Sequence, residues 1–226
     1  MSRVAICFFG MNRCLSLTYR AIVENIYRTI AERHSVSVFG ALMVPSSAFT
    51  NPRSKELAFT VEDNFEAILQ PKNIARELFS VKRSFMLTED EDFDYYLYVR
   101  PDLYYCTPFI LDRYIALMEA DPRPRVITPQ WQKWSGLNDR IAFCNRAGAL
   151  VFSKRFDALW AYVQETGEEL HAEKLLLHTL IKGGAMFDAH LTEFALRVRA
   201  NGMFKPEEYS ECGSYLPTLE QWRNRL

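Results

Sequence analysis

The sequence predicts a three-layer α/β domain with a mostly parallel central sheet. Apolar runs of strand length alternate with segments of helical period along the chain. The first of these runs passes through a glycine-containing turn into a helix, the opening of a βαβ unit. The segment 95–99, Tyr-Tyr-Leu-Tyr-Val, is β-prone without a break, as strands covered on both faces are.

Each element follows from local chemistry. Val4 to Phe9 is a short apolar run that reads as the first buried strand. Gly10-Met11-Asn12-Arg13 makes the turn, and Ser16 is the expected N-cap. Tyr19, Ile22, Val23, Ile26 and Ile30 recur at helical spacing behind it. Ser35 to Met43 reads as a second strand, and Pro45 to Pro52 is loop-like. Asn73 to Leu87 is helical, with Ile74, Leu78, Val81 and Phe85 on one side and Arg76, Ser80 and Arg83 on the other. An acidic loop, 89–92, precedes the tyrosine-rich strand. Leu111 to Ala120 reads as a helix and Val126 to Thr128 as a short strand.

Ile141 to Cys144 reads as a strand. The stretch after it is ambiguous: Ala149 to Phe152 fits a second strand, and 145–150 fits the start of a helix. Phe156 to Val163 and Glu173 to Lys182 read as helices, the latter stopped by Gly183-Gly184. Phe194 to Val198 is a late strand, and the tail from Pro206 is polar with scattered aromatics.

Length and composition set bounds. The 226 residues suit one α/β domain, and 49% hydrophobic content with 14% aromatic residues supplies a core. Nine glycines and ten prolines argue against a fibrous or low-complexity chain. A formal net charge of -1 gives no global field to attract nucleic acid, so any anion site is local. Cys7, Cys14, Cys106, Cys144 and Cys212 are scattered, with no C-x-x-C pair, as buried thiols of a reducing compartment are. The start enters a strand pattern directly, without a secretory leader, and the uncharged stretch between His34 and Arg53 is too polar to span a bilayer. The expectation is a cytoplasmic protein, with peripheral attachment to a membrane surface left open.

The chemistry-bearing residues gather at strand ends. Pro101 cannot donate to a ladder and stops the strand, placing Arg100 and Asp102 together at its carboxyl end. In open α/β sheets ligands bind there. Gly10 and Arg13 lie at the end of the first strand before a helix, a position that favours anions. Trp131 and Trp134 offer ring faces for sugars or anchors for their own loop.

The run Arg100-Pro101-Asp102 resembles the R-P-D variant of the D-x-D motif in glycosyltransferases of the GT-A fold. Gly136-Leu137-Asn138-Asp139-Arg140 resembles the G-x-N-D-R segment of the same enzymes, and the late Leu196-Arg197-Val198-Arg199 is similar to their L-R-V-R stretch. The likeness is to glycosyltransferases of surface and capsular polysaccharides, including those of large algal viruses, and covers most of 4–202 in four ordered segments.

The resemblance implies a single GT-A-like domain over 1–226, with a nucleotide-binding half to about residue 110, an acceptor half to about 205 and a tail over 206–226. It implies a nucleotide-sugar donor, UDP first, a glycan acceptor hydroxyl, and a divalent cation, Mn²⁺ or Mg²⁺. Asp102 and His190 are the implied metal ligands, with Asp188 beside His190. Gly10, Arg13, Ser80, Arg83 and Arg100 are implied on the nucleotide side, with Arg197 or Arg199 reaching phosphate. Asp139 and Glu173 are implied as the catalytic carboxylates, and Asn138 as a partner of sugar hydroxyls. Arg100 stands where the motif has its first Asp, which leaves the cation open and suits direct phosphate contact through a planar fork. Two other functions compete: a sugar nucleotidyltransferase, which asks for a Gly-rich first loop with a lysine, and a non-catalytic carbohydrate-binding module built on the tryptophans.

Overall fold

The computed structural model describes residues 1–12, 14–43, 72–198 and 202. Its elements in chain order are β1 (Arg3–Met11), α1 (Leu15–Ile22), a π-helical turn (Val23–Tyr27), α2 (Arg28–Ala31), β2 (Ser35–Met43), α3 (Lys72–Met86), β3 (Tyr95–Val99) and β4 (Leu103–Tyr105). Then come α4 (Asp112–Glu119), β5 (Arg125–Pro129), β6 (Ile141–Asn145), α5 (Arg146–Ser153), α6 (Arg155–Thr166), α7 (Ala172–Lys182), β7 (Met186–Leu191) and β8 (Ala195–Arg197).

Six strands form one sheet in the order β2-β1-β3-β6-β5-β7. β6 runs antiparallel to both neighbours, and the other pairings are parallel. β4 and β8 form a separate antiparallel pair that sets Leu103 opposite Arg197.

The period of two along the central strands builds two cores. Val4, Ile6, Leu97 and Val99 face Ile22, Ile26 and Ile30 on one side of the sheet. Ala5, Cys7, Phe9, Tyr96 and Tyr98 face Val81, Phe85, Leu176 and Leu180 on the other. Both faces of β1 and β3 are therefore covered, which is why their sequences are apolar throughout rather than alternating. Each such Leu, Ile or Phe contributes roughly 1.5–3 kcal/mol on burial. A third cluster, Leu78, Leu159, Tyr162 and Leu175, welds α3, α6 and α7 together.

Several expectations are corrected. Ser16 lies inside α1, and the N-cap is Cys14, whose carbonyl accepts from Leu17 and Thr18 N–H without a side-chain cap. Of the two readings left open after β6, the helix is the one observed: Asn145 caps α5 by accepting from Gly148 N–H, and a Cβ on Gly148 would fall 2.0 Å from Arg125 O. β4 and β7 are strands that the pattern leaves unmarked. The loop at 45–52, the tail from 206 and Cys212 lie outside the described residues. Cys7 and Cys144 are free thiols. No helix among the described residues is long and apolar enough to cross a membrane.

Candidate active site

The chain leaves β1 towards β2 on one side and returns to β3 on the other, so the sheet order reverses between β1 and β3. A crevice opens at the carboxyl ends of strands at such a point. Gly10 sits there on β1, at φ +89°, a conformation that glycine adopts without strain. Its N–H donates to Ser80 Oγ at 2.7 Å, and that hydroxyl donates to Glu77 O at 2.6 Å. Ser80 is thus buried as a latch between α3 and the end of β1.

Arg100 follows β3 and is almost sealed from solvent. Tyr105 fixes its backbone, the hydroxyl accepting from Arg100 N–H at 3.1 Å and donating to Arg100 O at 3.2 Å. The guanidinium donates to both oxygens of Asp102, Nε to Oδ1 at 2.8 Å and Nη2 to Oδ2 at 2.9 Å. Nη1 lies 2.5 Å from Glu77 Oε2. Arg197 Nε adds a third bond to Asp102, reaching Oδ2 at 3.2 Å. The β4–β8 pairing delivers Arg197, and Val198 N–H donates to Asp102 O at 2.9 Å. Burial alone would raise the Asp102 carboxyl, but the Arg100 guanidinium, with Arg197 behind it, holds it down to about 2. Burial likewise works against the charge on Arg100, and Asp102 and Glu77 outweigh it.

A cleft of about 200 Å³ opens onto this cluster, lined by Gly10, Arg76, Glu77, Arg100 and Arg197 among others. Arg76, which shares the Ser80 side of the helix, is on its wall. Arg83 is exposed and outside that lining. Seven residues separate it from Arg76, about 10 Å farther along the helix.

The second half of the site is the loop before β6. Gln132, Trp134 and Ser135 all have positive φ, at 46°, 46° and 63°. Trp131 is buried, its Nε1–H donating to Glu193 O at 3.0 Å, whereas Trp134 is 54% exposed. Asn138 is engaged inside the loop, donating from Nδ2 to Trp131 O and accepting at Oδ1 from Arg140 N–H, both at 2.9 Å. Asp139 is buried against Arg155, Oδ2 to Nη1 at 3.3 Å. Arg155 is fully buried and lies over the Phe152 ring, 4.0 Å from its centroid.

This loop is stitched to the first turn of α7. Leu137 N–H donates to Glu173 O at 3.1 Å, and a Cβ on Gly136 would fall 2.2 Å from the same oxygen. Burial and then the charge of Asp139 push the Glu173 carboxyl up to about 7. Its side chain is 15% exposed, with His171 Nδ1 3.1 Å from Oε2 but out of hydrogen-bond alignment. Glu77 sits electrostatically between the halves, felt by Arg100, Arg155 and Glu173 alike.

A divalent cation of the Mg²⁺ or Mn²⁺ kind needs oxygen ligands with free lone pairs directed at it. Asp102 does not meet that need as arranged, because guanidinium N–H groups bind both its oxygens. Among the described residues no cluster of three His, Cys, Asp or Glu side chains gathers to hold a metal. His190 is exposed on the edge strand β7, three strand positions from β3, roughly 14 Å at the usual spacing. Asp188 is tied to Arg125, at 2.9 Å. Arg13 and Arg199 lie outside the described residues.

The structure thus gathers Gly10, Ser80, Arg100 and Asp102 in one half of the site and Asp139 with Glu173 in the other. Glu77 and Arg155 contact these residues, and the sequence reading missed both. Glu77 had one signal, its i,i+3 relation to Ser80 on the same helix. Arg155 had none, standing between Lys154 and the helix read from Phe156.

No protein-family model matches the chain, and no curated protein matches it. Among solved structures it is similar to a glycosyltransferase involved in glycosylation of the major capsid of PBCV-1, at 10% identity over 83% of this chain and 81% of that chain, with a TM-score of 0.44. It is similar to the galactosyltransferase LgtC in complex with donor and acceptor sugar analogues, at 13% identity over 98% and 82%, with a TM-score of 0.45. A putative glucose-1-phosphate thymidylyltransferase from Bacillus anthracis is also similar, at 10% identity over 98% and 99%, with a TM-score of 0.44.

Proposed function

We propose that this chain is a glycosyltransferase that moves a sugar from a nucleoside diphosphate donor, UDP first, to a hydroxyl of a glycan acceptor. One observation carries the reading: an arginine-lined cleft at the sheet's switch point lies within electrostatic reach, through Glu77, of a carboxyl raised to about 7.

Each half suits one part of the transfer. Breaking the bond between sugar and diphosphate leaves negative charge on the departing phosphate oxygens. Arg76, Arg100 and Arg197 on the cleft side are placed to oppose that charge. The acceptor hydroxyl must lose its proton as it attacks. A carboxyl near 7 is partly ionised at neutral pH and binds that proton well, so Glu173 is assigned as the base. Asp139, held in place by Arg155, is assigned to the sugar side, where its charge supports the developing positive charge at the anomeric carbon. Exposed Trp134 offers a ring face on which an acceptor sugar stacks.

The test is product analysis with UDP, GDP and TDP sugars and short glycan acceptors. Transfer from one nucleotide class is expected, with Glu173→Gln lowering kcat about 100-fold or more while the variant stays folded. Pyrophosphate release from a nucleoside triphosphate and a sugar phosphate would instead assign nucleotidyl transfer. Glycan binding with no donor turnover would assign a binding module.

A further inference from the structure

We propose that the diphosphate in this site is held by the Arg100 guanidinium without a resident divalent cation, an inference that rests on the glycosyltransferase reading above. A cation grip needs carboxylate oxygens open to the ion. Here the only carboxylate of the R-P-D run, Asp102, accepts from Nε and Nη2 of Arg100 and from Nε of Arg197. Glu77, which lines the cleft, is bound to Arg100 Nη1. A metal entering there would have to displace three guanidinium contacts and sit beside a fixed positive charge.

The same geometry is well made for phosphate. Asp102 and Glu77 engage three of the five N–H donors of Arg100 and lock its plane. Two donors remain among the described residues, on a group that loses little further freedom when it binds. Gly10 borders that group, its Cβ position lying 3.9 Å from Arg100 Cζ, at ordinary van der Waals distance. Arg76 and Arg197 flank the same cleft. Charge on this wall comes from side chains that are already in place, so the anion needs no ion to carry it in.

The experiment is calorimetric titration of the intact protein with UDP, GDP, TDP and inorganic pyrophosphate, in EDTA and in 1 mM Mn²⁺ or Mg²⁺. Affinity for the preferred nucleotide is expected to agree within about twofold between the conditions, and Arg100→Ala to weaken it about tenfold or more. Arg100→Lys keeps the charge but loses the fork, and an intermediate loss is expected. Binding that vanishes in EDTA and returns with Mn²⁺ would overturn this inference and leave the glycosyltransferase reading standing. No binding of any of the four, with or without metal, would overturn both. The metal comparison uses the wild-type chain, so it stands even where an Arg100 variant fails to fold.

Discussion

Arg155 Nη1 lies 3.3 Å from Asp139 Oδ2, with both side chains sealed from solvent. A buried ion pair of this kind costs more to break than to replace, because removing one partner strands a charge in a medium that cannot solvate it. Arg155→Met is expected to lower the unfolding free energy by about 3–5 kcal/mol. Adding Asp139→Asn should recover much of that loss, and a double-mutant cycle in denaturant measures it. Additive losses would show that the two side chains do not support each other.

Glu173 makes stability fall as pH rises. Its carboxyl ionises near 4.5 when unfolded and at about 7 when folded, so between these values the folded chain holds a proton that the unfolded chain lacks. The loss across that window is at most about 3.5 kcal/mol, at roughly 1.4 kcal/mol per unit. Melting temperatures between pH 4.5 and 7.5 should flatten in Glu173→Gln. Activity should move in the opposite sense, rising through about pH 7 as the base ionises, and this limb should be missing from the variant.

Gly136→Ala tests the stitch between the aromatic loop and α7. The new Cβ would lie 2.2 Å from Glu173 O, a backbone atom that cannot swing aside. Overpacking of this kind costs typically 1–3 kcal/mol. Because the displaced residue is Glu173, kcat should fall more than donor affinity does. Equal losses in both would place the effect elsewhere.

Ser80 and Arg83, three residues apart, should separate cleanly. Ser80→Ala removes the acceptor of the Gly10 N–H and should cost about 1–3 kcal/mol, the penalty of an unsatisfied buried donor. Arg83→Ala, at an exposed position outside the cleft lining, should leave both stability and nucleotide affinity within about twofold. A large loss of affinity in Arg83→Ala would mean that the donor extends along α3 beyond the cleft.

Much of the fold was legible because its central strands are extreme. The 95–99 run declared itself through β-branched and aromatic content, the edge strand Ser35–Met43 through its alternation, and Asn73–Leu87 through a clean helical period. The misses have physical reasons. Leu103–Tyr105 is three residues long and follows a proline, too short for any period to show. Met186–Leu191 is a half-buried edge strand whose Asp188 and His190 read as site chemistry rather than as strand faces. In the site, residues next to glycine or proline were visible because those residues restrict the backbone. Glu77 and Arg155 acquire their roles only through partners 23 and 16 residues away, which no local pattern encodes. Arg76 and Arg83 share a helical face by angle, and only the position of the sheet edge separates them.

The β4–β8 pair also bears on the order in which the protein matures. Asp102 bonds to Arg197, 95 residues later in the chain. Contacts that distant form late, after the loop-closure entropy has been met by other packing. During synthesis the β1–β3 half can collapse while Asp102 still lacks its second arginine. On the glycosyltransferase reading proposed above, nucleotide binding would report complete folding: a refolding chain should regain its helix signal before it binds the nucleotide.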